Sequence, residues 1–470
     1  MVVGSLDIQT DIVIVGAGPG GYTAAVKAAK KGNEVIIVDK DAELGGVCLH
    51  HGCIPTKTLI HSTEFRHVIA EMEHSGVTFE GEPSVDFKRI MDHKDSVIQT
   101  LSKGVKHLFD QHGIEVIKGY ARFEDENTLH ISGQSDVTSI AFKKCILATG
   151  GRPIEIPHLP YSHPKILSSR DILELDELPS SILIVGGGYI GTEMGTVFGK
   201  LGVDIDIIEM SPRLISVMPQ DVVDVVKNII HEYNVDVHVN TAAKGVEDIE
   251  EGVKLVTDQD GETKTFTADY ILTVPGRKPN TNKLGLENIG VDVDRQGFIP
   301  VNASMQTKHS HIFAIGDIIG QPMLAHKAMR EGKVAGNVAA GKEDVYDNMV
   351  IPKVVFNDPE IACVGFSEEE AQEQGIQTIT GTFHMKGSGR AHSLARPNGF
   401  IRVIADKETH RLLGVESVGP HVSGMIGEAT LAIELGATLE DVGRTIHAHP
   451  TINEGFMEAC EVALGEGIHE

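Results

Sequence analysis

The sequence predicts an α/β chain that carries two dinucleotide-binding βαβ units and closes with an α+β domain. Three observations predict this. A G-x-G-x-x-G turn follows a β-prone run at residues 16–21. The same turn follows a second such run at 186–191. From residue 352 onward the pattern changes to successive strands followed by two helices.

The elements follow in order. Residues 10–15 (TDIVIV) read as a strand running into Gly16, Gly18 and Gly21. An alanine-rich helix over 22–31 and a strand over 34–38 then lead to Asp39, 18 residues after the last glycine. Glycines at those positions allow a tight turn and close approach of a pyrophosphate. The helix N-terminus faces the phosphates, and the acid can accept from a ribose hydroxyl. Residues 62–111 read as mostly helical with a loop near 76–84. Strands follow near 113–121, 128 and 137, then at 144–150 (KCILATG), ending at Gly150. Three prolines in 151–160 mark a crossing linker.

The unit then repeats. A strand at 181–185 meets Gly186, Gly188 and Gly191, and a helix and a strand at 203–208 end at Glu209, again 18 residues on. Two fingerprints in one chain imply two dinucleotides at once. A helix over 219–233 and strands at 235–239, 252–257, 263–268 and 270–276 come next. The run 310–315 (SHIFAI) places Asp317 at a strand's C-terminal end, where α/β sheets bind ligands. A small-residue helix spans 324–340. Strands are expected at 351–360, 362–365, 377–383, 399–405 and 412–418, with helices at 423–435 and 453–463.

Composition narrows the function. The 470 residues carry 41 Lys+Arg against 67 Asp+Glu, a formal charge of -26 without a basic stripe. Nucleic acid and anionic membrane surfaces are therefore excluded as expected partners. The first residues lack a signal-peptide pattern, and no 18-residue apolar run exists to insert in a membrane. Cysteines at 48, 53, 145, 363 and 460 are too few and too spread for a disulfide framework. A close pair in a cytoplasmic chain points to redox or metal chemistry instead.

Cys48 and Cys53 are that pair, set among glycines and followed by Pro55 and Lys57. In an undistorted helix an i,i+5 pair lies roughly 8–9 Å apart at Cα, from rise and pitch. A disulfide needs less than about 7 Å. Cys48 is thus expected in a turn or irregular first helical turn, with Cys53 further into the helix. A helix start lowers a thiolate's pKa and suits an exchanging dithiol. Zinc is the rival; it needs three or four ligands, and beyond His50 and His51 no second cysteine pair offers them. A dithiol that turns over needs a proton acceptor. His449, oriented by Glu454, is a candidate, and His447 is its equal on composition alone.

Taken together, GAGPGG (16–21), GGVCLHHGCIPTK (45–57), ATG (148–150), GGGYIGTE (186–193), GRKPN (276–280), AIGD (314–317), MLAHKA (323–328) and HAHPTINE (447–454) resemble the pyridine nucleotide–disulfide oxidoreductase family over essentially the whole chain. Within it the resemblance is to members that oxidise dihydrolipoamide. It implies a glutathione-reductase-like fold: an FAD-binding domain begun by 1–150, an NAD-binding domain at 151–275, a central domain at 276–350 completing the FAD site, and an interface domain at 351–470. It implies FAD on Gly16, Gly18 and Gly21, with Asp39 on its adenosine ribose and Gly150 and Gly276 beside the cofactors. Asp317 would meet the ribityl region, and Met323, Leu324, Ala325 and His326 the isoalloxazine. Cys48 would be the thiol that meets substrate, and Cys53 the thiol that passes electrons to the flavin. Lys57 would sit near flavin N5, paired with Glu193. His449 would deprotonate the substrate and reach the disulfide of a second subunit, so a homodimer is implied. The partner would be a lipoylated E2 component of a 2-oxoacid dehydrogenase complex, or the lipoyl carrier of a glycine cleavage system. No lipoyl domain is evident in the chain, and its acidity suits a basic docking module.

The second unit favours NAD. Glu209 would accept from a free 2′-hydroxyl and repel a 2′-phosphate. NADPH-using relatives commonly carry alanine at the position of Gly191 and arginines after the strand, where only Arg213 stands. Two residues depart from the family pattern. His50 replaces the usual asparagine; it can keep a hydrogen bond or titrate near neutral pH. Pro275 replaces an aliphatic residue and constrains a strand end. The competing expectations are an NADPH-dependent disulfide reductase of the glutathione reductase type and a non-catalytic flavin-binding protein. Mercuric reductase would need a further cysteine pair near the C-terminus, and soluble transhydrogenase lacks the pair at 48 and 53.

Overall fold

The computed structural model describes residues 6–41, 43–65, 68–69, 72, 75–78, 84–133 and 135–469. The chain divides into two compact units. One comprises Met1–Thr58, Arg89–Ile154 and Gly276–Asp347; the other comprises Leu59–Lys88, Glu155–Pro275 and Asn348–Glu470.

The first unit is built on a parallel sheet in the order Glu115–Lys118, Val35–Asp39, Leu6–Val15, Val137–Leu147, with Ile312–Ala314 parallel on the far side of Val137–Leu147. Strand Leu6–Val15 starts earlier than its apolar run predicts, because its first residues also find a partner in Val137–Leu147. Its side chains alternate between two cores. Ile12 and Ile14 pack with Ala24, Ala25, Ala28 and Phe109 on one face, whereas Val13 and Val15 pack with Phe123, Ile140 and Leu147 on the other. A strand buried on both faces reads as a continuous hydrophobic run, as this one does. Helix Pro19–Ala29 lies against helix Ala325–Ala339 without intervening side chains. A Cβ on Gly332 would stand 2.4 Å from the carbonyl oxygen of Gly20, and one on Gly336 2.6 Å from that of Ala24. The small-residue pattern thus brings 323–326 alongside the first fingerprint.

The second unit repeats the design. Its parallel sheet runs Val235–His238, Asp204–Ile208, Ser181–Val185, Tyr270–Thr273, Ile166–Leu167. An antiparallel meander of Thr241–Asp248, Val253–Gln259 and Glu262–Ala268 is inserted. Its first strand was not expected; Ala242, Ala243 and Gly245 carry little β signal, and pairing with Val253–Gln259 makes the strand. Val274 makes a ladder bond to Val185 at 2.9 Å before Pro275, so the missing N–H of Pro275 costs that strand end nothing.

The same unit holds an antiparallel five-stranded sheet, Lys353–Val355, Glu360–Gly365, Leu412–Gly419, Phe400–Asp406, Thr378–His384 in spatial order. Helices Val422–Glu434 and Glu454–Leu464 bury Met425, Ala429, Phe456 and Cys460 against it. The strand expected at 351–360 forms as Lys353–Val355, with Glu360 opening the next strand, Glu360–Gly365. Of the stretch expected to be mostly helical at 62–111, Phe87–His112 is a helix, helix Cys53–Thr63 reaches only its first two residues, and part of the loop expected near 76–84 lies outside the described residues. No helix among the described residues is long and apolar enough to cross a membrane.

Glycines in the two helical settings should respond oppositely to alanine. Gly332→Ala forces a Cβ onto a carbonyl and is expected to cost about 1–3 kcal/mol. Gly104, exposed within Phe87–His112 with open space above it, is expected to gain about 0.5–1 kcal/mol as alanine. Urea unfolding midpoints of both variants against the parent check this, and equal shifts would contradict the packing argument.

Candidate active site

The two fingerprints close in the same way. Gly16 and Gly186 both have positive φ, and a Cβ at either would lie 2.3 Å and 2.6 Å from the carbonyls of Ala148 and Val274, respectively. A Cβ on the third glycine would meet the carbonyl of the first, at 1.9 Å for Gly21 and 2.1 Å for Gly191. The middle glycines, Gly18 and Gly188, face open space, which is the room a pyrophosphate needs against the backbone.

Each acid at the end of the second strand holds its own loop. Asp39 Oδ2 accepts from the Ala17 N–H at 2.6 Å and Oδ1 from Asp41 at 2.9 Å. Glu209 Oε2 accepts from Gly187 at 2.6 Å and Oε1 from Ser211 at 2.6 Å. This loop-bracing duty was not expected from sequence. Burial raises the Asp39 carboxyl above its ordinary value, and the two N–H donors oppose that.

The cysteine segment is fastened to the first fingerprint. The Gly45 N–H donates to Ala17 O at 3.2 Å, and a Cβ on Gly46 would stand 2.6 Å from the Cα of Gly18. Here the structure corrects the expectation of one helix. Cys48 sits inside a short helix, Gly46–His50; the chain breaks at His51 and Gly52, and Cys53 opens the next helix, Cys53–Thr63. The break brings the thiols into hydrogen-bond contact, which an unbroken helix would prevent. The Cys53 side chain beside it, then burial, push the Cys48 thiol far above its ordinary value, while Lys57 pulls the other way. Cys53 stands at a helix N-terminus, where an anion is favoured.

His50 keeps a hydrogen bond. Its imidazole is buried, with Nε2 2.8 Å from Leu44 O and Nδ1 3.2 Å from Glu43 Oε2. A carbonyl only accepts, so Nε2 carries the proton. The ring ties the end of the Cys48 helix to the residues before it, and Ser102 Oγ donates to the same carbonyl at 3.3 Å.

Further residues converge on the first unit. The ATG and GRKPN motifs are knitted together: Asn280 N–H donates to Gly150 O at 2.9 Å, and Gly151–Pro153 pairs with Arg277–Pro279. Asp317 is raised by burial and drawn down by Arg277, 3.7 Å away, and by Lys327. Glu331, buried and ion-paired to Lys327 at 2.8 Å, accepts from the Gly316 N–H at 2.7 Å and so braces the turn before Asp317. Met323, Leu324 and Ala325 are half-buried and His326 exposed where helix Ala325–Ala339 begins.

In the second unit Glu193 is buried on helix Tyr189–Lys200 and accepts from the Phe356 N–H at 2.9 Å. His449 Nδ1 and Glu454 Oε1 are 2.8 Å apart, and Glu454 Oε2 also takes the Thr451 N–H at 2.7 Å. The His449 side chain is 79% exposed, so its Nε2 faces outward. His447 differs: Nδ1 lies 2.8 Å from Thr445 O and Nε2 2.7 Å from Glu428 Oε1, so both nitrogens are taken. The structure thus separates two histidines that composition left equal. No cluster of metal-ligating side chains occurs among the described residues.

Two pyrophosphate-ready turns and a dithiol seated on one of them define a nucleotide-dependent thiol–disulfide oxidoreductase. The chain belongs to the pyridine nucleotide-disulphide oxidoreductase family: residues 10–332 match its main model and 351–460 its dimerisation domain. It is 43% identical to a dihydrolipoyl dehydrogenase of Geobacillus stearothermophilus over 100% of this chain and 99% of that protein. It is 42% identical to one from Haloferax volcanii, with the same coverage. Among solved structures, LpdA from Mycobacterium tuberculosis superposes with a TM-score of 0.88 at 26% identity, covering 96% of this chain and 99% of that one.

Burial raises the thiols of Cys145, Cys363 and Cys460, that of Cys363 to about 12. These three are enclosed, whereas Cys48 and Cys53 are only half-buried. Brief iodoacetamide treatment of reduced native protein is therefore expected to label only Cys48 and Cys53, with all five labelled after unfolding. Intact mass and peptide mapping read this, and native labelling at Cys363 would contradict it.

Proposed function

We propose that this protein oxidises protein-bound dihydrolipoyl groups to lipoyl groups and reduces NAD+ to NADH, with FAD between them. What carries the reading is the Cys48–Cys53 dithiol braced on the first dinucleotide turn, in a chain that also holds the outward-facing His449–Glu454 pair. The dihydrolipoyl dehydrogenases that match along its full length support it.

The residues present fit both cofactors. Gly16, Gly18, Gly21 and Asp39 would hold FAD, with Gly150, Asp317 and 323–326, and Lys57 near the flavin with Glu193 as its partner. Gly186, Gly188, Gly191 and Glu209 would hold NAD, with Gly276 nearby. The flavin, when bound, supplies the two-electron carrier between dithiol and nicotinamide. Residues 1–150 and 276–350 are proposed as the FAD domain, 151–275 as the NAD domain and 351–470 as the subunit interface.

In the oxidised state Cys48 and Cys53 are joined by a disulfide. His449 Nε2 takes the proton of a substrate thiol, and Glu454 at Nδ1 stabilises the resulting imidazolium. The substrate thiolate attacks Cys48 Sγ, the S–S bond breaks, and Cys53 leaves as the thiolate that its helix N-terminus favours. The second substrate thiol then loses its proton, displaces Cys48 and closes the lipoyl disulfide. Cys48 takes up the proton, and two electrons have passed from substrate to protein.

The assay is NADH formation from dihydrolipoamide and NAD+ with flavin-loaded protein. Cys48→Ser is expected to abolish turnover, and His449→Gln to lower kcat by about 10²–10⁴-fold, the usual contribution of a general base. Flavin-loaded protein that makes no NADH but reduces a disulfide with NADPH would replace this reading with the glutathione reductase type.

A homodimer completes the proposal. Leu431, Leu435 and Ile446, all on the segment that matches the dimerisation domain, are 60%, 76% and 97% exposed. Such exposure fits a covered face. Ile446→Asp is expected to yield a flavin-containing monomer by light scattering, with turnover lost. A fully active monomer would refute the need for a second subunit. The physiological partner is proposed as a lipoylated E2 or carrier protein in the cytoplasm, with a basic module docking on this acidic chain.

A further inference from the structure

The loop that carries His449 is held by two carboxylates, not one. Glu454 takes His449 and the Thr451 N–H. Glu428, on helix Val422–Glu434, repeats the arrangement one step back: its Oε1 takes His447 Nε2 and its Oε2 takes Asn453 Nδ2, each at 2.7 Å. Thr451 Oγ1 closes the turn on Ala448 O at 2.8 Å. His447 is 5% exposed, whereas His449, two residues on, is 79% exposed.

We propose that Glu428 and His447 are positioning residues that pin both ends of the 447–453 loop, so that His449 is presented at a fixed height and angle to the incoming thiol. The inference rests on the reading of His449 as proton acceptor. Three features of the geometry support it. Glu428 lies on another helix, so it ties the loop to the packed core rather than to itself. It grips the residue two before His449 and the residue four after it, which brackets the imidazole. Its bonds are charge-assisted on a partly shielded carboxylate, the stronger kind of hydrogen bond. A group that must meet a thiol within hydrogen-bond reach gains from such bracing, and small misplacements are expensive in rate.

Three variants of the flavin-loaded protein test this. Glu428→Ala and His447→Leu cut the clamp and are expected to lower kcat by about 10- to 100-fold with KM for NAD+ unchanged. His447→Gln, whose amide can still donate to Glu428, is expected to recover at least half of that loss on a logarithmic scale, with the pH profile of His449 retained. A His447→Gln loss as deep as that of His449→Gln would make His447 the acceptor and overturn the proposal. Full activity in His447→Leu would also overturn it. Amide hydrogen exchange over 445–453 gives a readout independent of turnover: exchange should rise at least tenfold in Glu428→Ala, and unchanged protection would refute the clamp. If the parent protein fails to oxidise dihydrolipoamide, the proposed function falls, while the exchange result still decides whether the clamp exists.

Discussion

A Cβ on Gly46 would stand 2.6 Å from the Cα of Gly18, and Gly18 itself has open space on its other side. The proposed chemistry depends on that contact. It lets the cysteine segment rest directly on the first glycine turn, so the dithiol and the dinucleotide proposed to bind there would share one rigid support. The support is stiff because its glycines are used up in close approaches: Gly16 to the Ala148 carbonyl, Gly21 to Gly16, Gly45 through its N–H to Ala17. Asp39 then fixes the Ala17 N–H from the next strand. A side chain at any of these points would move the thiols relative to the loop, and thiol exchange tolerates little movement.

The parts of this that sequence discloses are those with local causes. The βαβ units are legible because an apolar run buried on both faces, a glycine turn and a terminal acid all lie within about 30 residues of each other. The His449–Glu454 pair is legible because its members are only five positions apart. What escapes is set by distant partners. Glu428 lies 19 residues from His447 and looks like any exposed helical glutamate until the fold brings them together. Strand Thr241–Asp248 has weak propensity and exists through its neighbour. The helix break at His51 and Gly52 was anticipated as local distortion, but not as two separate helices, because the stitch from His50 to Leu44 O that ends the first helix runs backward along the chain. Nothing in composition marks which histidine does that.

Carboxylates recur as braces of backbone and imidazole in both units. Asp39 and Glu209 hold fingerprint loops, Glu331 holds the Gly316 N–H, and Glu454 and Glu428 hold the histidine loop. An acidic composition that first seemed only to exclude anionic partners is partly spent on this internal work. The same residues exact an electrostatic cost, since burial raises the Asp39, Asp317 and Glu331 carboxyls. In each case N–H donors or a neighbouring cation oppose the shift, which is the condition under which a buried carboxylate stays ionised.

The two cysteines are chemically unequal before any cofactor is considered. Cys48 lies inside a five-residue helix, half-buried and hydrogen-bonded to Cys53, and both effects hold its proton. Cys53 begins an eleven-residue helix, where the backbone N–H groups and the dipole favour the anion. A disulfide between unequal thiols breaks in a preferred direction: the better leaving group departs as thiolate, and the attacked sulfur is the other one. The helix break at His51 and Gly52 therefore does more than bring the sulfurs within reach. It places one of them at a helix start and the other away from it, the asymmetry on which the proposed roles of Cys48 and Cys53 rest.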